Sequence, residues 1–97
     1  MTIKLQYKNE LISIIHKHLP KAAIYLFGSR ARGDYTSTSD IDLAVDAGEP
    51  INYSLLLKIL MEIDETAIPM KIDLVDFCSA SNILKENIIK EGVKWTN

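Results

Sequence analysis

Cysteine is nearly absent from this 97-residue chain, where Cys78 stands alone. A single thiol excludes an internal disulfide framework and any multi-cysteine metal site, and it makes the cytoplasm the expected compartment. Arginine is scarce as well, with only Arg30 and Arg32. A net charge of −2 adds to that scarcity and argues against a protein that grips nucleic acid through its phosphates. A basic stripe and an aromatic stacking platform are missing too. No apolar run reaches the ~18 residues that a membrane span needs. The first residues, MTIKLQYKNELISI, are broken by charges where a signal peptide would carry an apolar core. Repeats, low-complexity tracts and linkers are lacking as well.

What remains is enough for one small domain over residues 1–97, with a thin core that a partner surface would help. Leu11, Ile12, Ile15 and Leu19 recur at helical spacing and predict a helix over 3–19, ended by Pro20. The apolar run AAIYLF at 22–27 reads as a buried strand closed by Gly28. GSRARGD then suits a turn and one or two helical turns, followed by the polar loop YTSTS. Over 41–47, Ile41, Leu43 and Val45 alternate with Asp42 and Asp46, a second strand. A broad apolar stripe predicts a helix over 52–66, and MKIDLVDF at 70–77 a third strand. Ser79 or Ser81 is placed to cap a last helix running to about Lys90, with Gly92 as its stop. The expected fold is α/β, a small mixed sheet of about three strands flanked by helices.

The chemistry concentrates between Gly28 and Asp73. Asp40 and Asp42 are two apart on a strand, so they share a face at roughly 6–7 Å. Two carboxylates held that way repel unless something positive sits between them. Mg²⁺, which takes oxygen ligands from one or two carboxylates plus substrate phosphates, fits that need. If the second and third strands are neighbours, Asp73 faces the pair, and three converging carboxylates suit two metal ions. Gly28 and Ser29, at a strand-to-helix turn, let a phosphate approach the backbone and offer N–H and hydroxyl donors. Arg30 and Arg32 are candidates to neutralise a triphosphate. These parts point to metal-assisted phosphoryl or nucleotidyl transfer.

GSRARGDYTSTSDID, in which ten residues separate Gly-Ser from Asp-x-Asp, resembles the signature of nucleotidyltransferases with the DNA polymerase β fold. The short chain resembles the minimal nucleotidyltransferase group, over about residues 22–76, and Asp73 in KIDLVDF matches that fold's third carboxylate. The resemblance implies ATP as substrate and transfer of AMP to a protein hydroxyl. It implies catalytic and metal-binding roles for Asp40, Asp42 and Asp73. It also implies an antitoxin role beside a helical HEPN toxin. A binding-only antitoxin of the same fold is the alternative, and small-molecule or nucleic-acid acceptors are further ones.

Other residues carry plainer expectations. Asp46 and Asp76 read as solvated strand ends, and Asp34 as closing the turn. His16 and His18 lie on the first helix away from the motif, and Cys78 reads as a packed small side chain. Tyr25, Phe27, Phe77 and Trp95 read as packing residues. Leu55, Leu56, Leu57, Ile59, Leu60 and Ile63 cover more of one helix than so small a domain can bury, so a covering partner and some weak self-association are expected.

Overall fold

A computed structural model describes residues 3–96. The elements run α1 (Leu5–His18), β1 (Ala23–Phe27), α2 (Ser29–Arg32), β2 (Ile41–Asp46), α3 (Tyr53–Asp64), β3 (Ile72–Asp76), a 3₁₀ turn (Phe77–Ser79), α4 (Asn82–Glu91) and β4 (Val93–Lys94). Asn52 caps α3 by accepting from Ser54 N–H at 2.9 Å, and Ser81 caps α4 by accepting from Leu84 N–H at 3.2 Å.

The sheet order is β3-β2-β1-β4. β1 pairs antiparallel with β2 and with β4, whereas β2 pairs parallel with β3. The expected three strands are therefore four. Val93–Lys94 is too short to show alternation, and its pairing is fixed by contact with β1 rather than by pattern. Trp95 N–H extends it by donating to Ile24 O at 2.7 Å. Gly92, expected as a helix stop, carries the chain from α4 into this strand. A Cβ there would run into the Ile88 carbonyl, so the close passage requires glycine.

Alternation sorts the sheet into two faces. Ile24, Leu26, Ile41, Leu43 and Val45 turn to the core and pack with Leu11 and Ile15 of α1 and Ile59 and Ile63 of α3. Each side chain buried this fully contributes roughly 1.5–3 kcal/mol, and Leu43→Ala would cost about 2–5 kcal/mol through the cavity it leaves. The opposite face carries Tyr25, Phe27, Asp42, Ala44, Asp73 and Val75 by the same alternation. α1 and α3 thus cover one face, and the paired aspartates lie on the other. Among the described residues no helix is long and apolar enough to cross a membrane.

Candidate active site

β1 stops at Phe27 because Gly28 takes φ +76°, ψ −155°, a backbone that side chains resist. α2 starts at once: Ala31 and Arg32 N–H donate to Gly28 O at 3.1 and 3.0 Å. Space makes the same demand as φ. Phe27 lies opposite Asp42 in the ladder, and a Cβ on Gly28 would overlap Asp42 Oδ2. The Gly-Ser turn and the second aspartate of the motif therefore touch. Ser29 is the first residue of α2 and is half-buried; the helix has no side-chain cap.

Asp42 is opposite Asp73 in the parallel pairing of β2 with β3. The register brings the two carboxyl groups close enough for the charge of Asp73 to act on Asp42. Asp42 is held above the ordinary carboxylate range, first by burial and then by the charges of Asp73 and Asp40; Arg32 pulls the other way. Asp40 lies one residue before β2, where Ile41 N–H donates to Lys71 O at 2.9 Å and fixes the start of the strand. Asp73 is half-exposed, with Lys71 Nζ 3.9 Å from its Oδ1. Sequence reasoning misses Lys71, although a residue two before Asp73 in extended chain shares its face.

The donor set fits a hard divalent cation. The charges of Asp73 and Asp40 act on Asp42 from its two sides along and across the strands, and that repulsion is what a cation would relieve. Among the described residues no three acidic, histidine or cysteine side chains are gathered closely enough to hold a metal ion by themselves. A cation here would therefore draw further oxygen ligands from a bound phosphate or water.

The two arginines part company. Arg30 was expected on the phosphates, but only 4% of it is exposed. Its Nε and Nη2 donate to Ser39 O at 3.1 and 3.0 Å. Nη2 also reaches Ser37 O at 3.2 Å and Thr36 O at 3.4 Å. The guanidinium is tied to the loop between α2 and β2, which corrects the phosphate-binding expectation for this residue. Arg32 remains half-exposed near Asp42, with Asp34 at 3.3 Å and Glu91 at 3.6 Å. The hydrogen bond and charge of Asp34 raise its guanidinium above the ordinary arginine value, so it stays charged.

Asp46 and Asp76 are corrected too, because neither is simply solvated. Asp76 Oδ2 accepts from Ile51 N–H at 2.9 Å and Ser79 O–H at 2.8 Å. Asp46 Oδ1 accepts from Gly48 N–H at 2.9 Å and from the Cys78 thiol at 3.5 Å. Cys78 is pushed up by burial and by that contact, so it is a poor nucleophile. His16 meets Ala22 O at 3.0 Å, and His18 meets Glu62 at 2.7 Å, both away from the acidic face. Tyr25 stacks on Phe77 at 6.1 Å, and Trp95 packs against the core.

Residues 9–95 match the family described as polymerase beta, nucleotidyltransferase. The chain is 33% identical over 86 residues to the protein adenylyltransferase MntA of Shewanella oneidensis; the match takes in 88% of this chain and spans 61% of that relative's length. A crystal structure of a toxin–antitoxin with AMP-PNP superposes with TM-score 0.79 at 32% identity, covering 93% of this chain and 73% of the other. A structure of the tri-AMPylated Shewanella oneidensis HEPN toxin in complex with its MNT antitoxin gives TM-score 0.76 at 28% identity, covering 98% and 74%. With the Gly-Ser turn, the register-paired aspartates and the sheet that joins them, the chain belongs to the polymerase beta nucleotidyltransferase family.

Proposed function

We propose that this chain is a cytoplasmic, Mg²⁺-dependent protein adenylyltransferase. It transfers AMP from ATP to a hydroxyl of a HEPN-type toxin and so acts as that toxin's antitoxin. The observation that carries the reading is the direct register of Asp42 with Asp73 beside Gly28. Relatives named as adenylyltransferases, and similar structures with AMP-PNP and with an AMPylated HEPN toxin, support the nucleotide and the partner.

In this reading Gly28 lets the triphosphate come against the backbone, and Ser29 donates its hydroxyl to it. Arg32 offsets negative charge on the phosphates. Asp40, Asp42 and Asp73 would hold two Mg²⁺ ions, whose charge would screen the triphosphate and steady the departing pyrophosphate. Asp73, the half-exposed partner of Asp42 in the ladder, takes the proton of the attacking hydroxyl. The hydroxyl oxygen bonds to the α-phosphorus, and the bond from that phosphorus to the bridging oxygen breaks as pyrophosphate leaves. The test is incubation with ATP labelled in its α-phosphate, Mg²⁺ and a HEPN toxin encoded beside this chain. Label on the toxin is expected; a folded protein that labels nothing contradicts the reading.

A second reading, neutralisation by binding alone, draws on one observation. Tyr53, Leu57 and Met61 recur every four residues along α3 and are 71%, 42% and 67% exposed. Such a stripe suits a protein partner whether or not AMP is transferred. The double substitution Asp40→Asn with Asp42→Asn separates the two. Loss of protection against the toxin supports catalysis, and full protection supports binding alone. Light scattering of the chain with and without the toxin tests the partnership itself.

A further inference from the structure

We infer that Arg30 is a positioning residue for the reaction proposed above: it ties the phosphate turn to the start of the strand that carries Asp40 and Asp42. The inference rests on that reading for the identity of the site. What supports it is the path of the chain between the two halves of the motif.

After α2 the chain runs as an irregular loop from Gly33 to Asp40. The loop closes on itself through Ser39, whose N–H donates to Thr36 O at 3.2 Å and whose Oγ accepts from Thr36 N–H at 2.9 Å. The Thr36, Ser37 and Ser39 carbonyls then converge on one guanidinium. The Tyr35 ring lies 5.1 Å from Arg30 Cζ. The Ser39 carbonyl belongs to the peptide that joins Ser39 to Asp40, so two donors of Arg30 hold the plane from which Asp40 starts. On its other side Asp40 is followed by Ile41, whose N–H is held by Lys71 O. Asp40 is thus fixed from both flanks, by Arg30 and by the sheet.

Arg30 is the second residue of α2, next to Ser29. Its backbone therefore moves with the phosphate turn and its side chain with the Asp40 loop. A lysine cannot copy this. It offers one nitrogen, whereas the planar fork reaches Ser39 O through two nitrogens and Ser37 and Thr36 as well.

The test compares wild type with Arg30→Lys in two measurements that need no AMP transfer. One is amide hydrogen exchange over residues 36–41. The other is the Mg²⁺ concentration at which a non-hydrolysable ATP analogue gives half its thermal stabilisation. In Arg30→Lys, faster exchange in that loop alone and about a tenfold higher Mg²⁺ requirement are expected, as for other residues that orient metal ligands. The KM for ATP at saturating Mg²⁺ should be unchanged. Wild-type values of the Mg²⁺ requirement overturn the inference, whatever the loop exchange shows. If Arg30→Lys does not fold, Arg30→Gln, which keeps a short polar side chain but loses the fork that reaches the Ser39, Ser37 and Thr36 carbonyls, takes its place and should shift both measurements in the same direction; an unshifted Mg²⁺ requirement there also overturns it. A wild type that binds Mg²⁺ and nucleotide but labels no toxin would defeat the proposed function and leave Arg30 to be judged by these two measurements.

Discussion

β2 and β3 carry two aspartates each, and the strands treat their two ends in opposite ways. At one end Asp42 faces Asp73 in register. At the other, Asp46 ends β2 and Asp76 ends β3. The two far aspartates are each supplied with donors: Ile51 N–H and Ser79 O–H for Asp76, Gly48 N–H and the Cys78 thiol for Asp46. Among the described residues, Asp76 Oδ1 alone is a buried side-chain oxygen without a partner. Asp42 is supplied instead with burial and with two further carboxylates. The acids that tie down chain ends are given N–H groups, whereas Asp42 is left in conflict with its neighbours, a conflict that a bound cation would relieve. The same residue type on the same two strands is thus structural at one end and suited to a ligand at the other.

Substituting the Asp42–Asp73 end should have the largest effect. Asp42→Asn, or Asp73→Asn, is expected to lower AMP transfer by on the order of 10²–10³-fold, the scale for losing one preorganised charge-stabilising group. Single-turnover labelling of the toxin would measure it. The apo protein should melt no lower than wild type, because a repulsion between partly buried carboxylates has been removed. Equal rates in wild type and Asp42→Asn would erase the distinction between the two ends.

Gly28→Ala comes next. It forces a Cβ into φ +76° and against Asp42 Oδ2. Strain of this kind costs on the order of 1–3 kcal/mol, and the displaced carboxylate should cost activity as well. Thermal melting and the labelling assay on one preparation would show both losses. An alanine that melts and labels like wild type would mean that the turn and Asp42 do not meet.

Asp76→Ala should do the reverse of Asp42→Asn. It strands the Ile51 N–H and the Ser79 hydroxyl, so denaturant unfolding should lose about 1–3 kcal/mol. Labelling per folded molecule should hold.

The smallest effect is in the pH dependence. Folding raises Asp42 above its unfolded value of about 3.9. The folded state therefore binds this proton more tightly, and stability falls as pH rises through the folded value. The advantage of Asp42→Asn over wild type should be present at neutral pH and vanish below about pH 4. Melting both proteins across that range checks it; a constant difference would remove the conflict assigned to Asp42.

Much of this contrast is legible in the sequence. Period-two alternation places Ile41, Leu43 and Val45 inward and Asp42 outward, and the spacing from Gly28 to Asp42 locates the turn. Asp73 is legible because it interrupts an apolar strand. Three features are not. β4 has two residues, too few for a period. Arg30 is buried by carbonyls that converge only after the loop folds, whereas most arginines are exposed. Asp76 reads as a solvated strand end because its donors, Ile51 and Ser79, come from a distant loop and from the following turn. Patterns along the chain report which face a residue takes; they do not report which donors arrive there.

The central claim is that the Asp42–Asp73 end, and not the Asp46–Asp76 end, binds nucleotide with its metal. Melting of wild type, Asp42→Ala and Asp76→Ala with and without Mg²⁺ and AMP-PNP tests it most directly. At ligand a hundredfold above its Kd, binding to the folded state adds about 2.7 kcal/mol. Wild type and Asp76→Ala should both gain that stabilisation, the latter from a lower starting Tm. Asp42→Ala should remain folded and gain none of it. If Asp42→Ala keeps the wild-type shift, the nucleotide and its metal are bound elsewhere and the account fails.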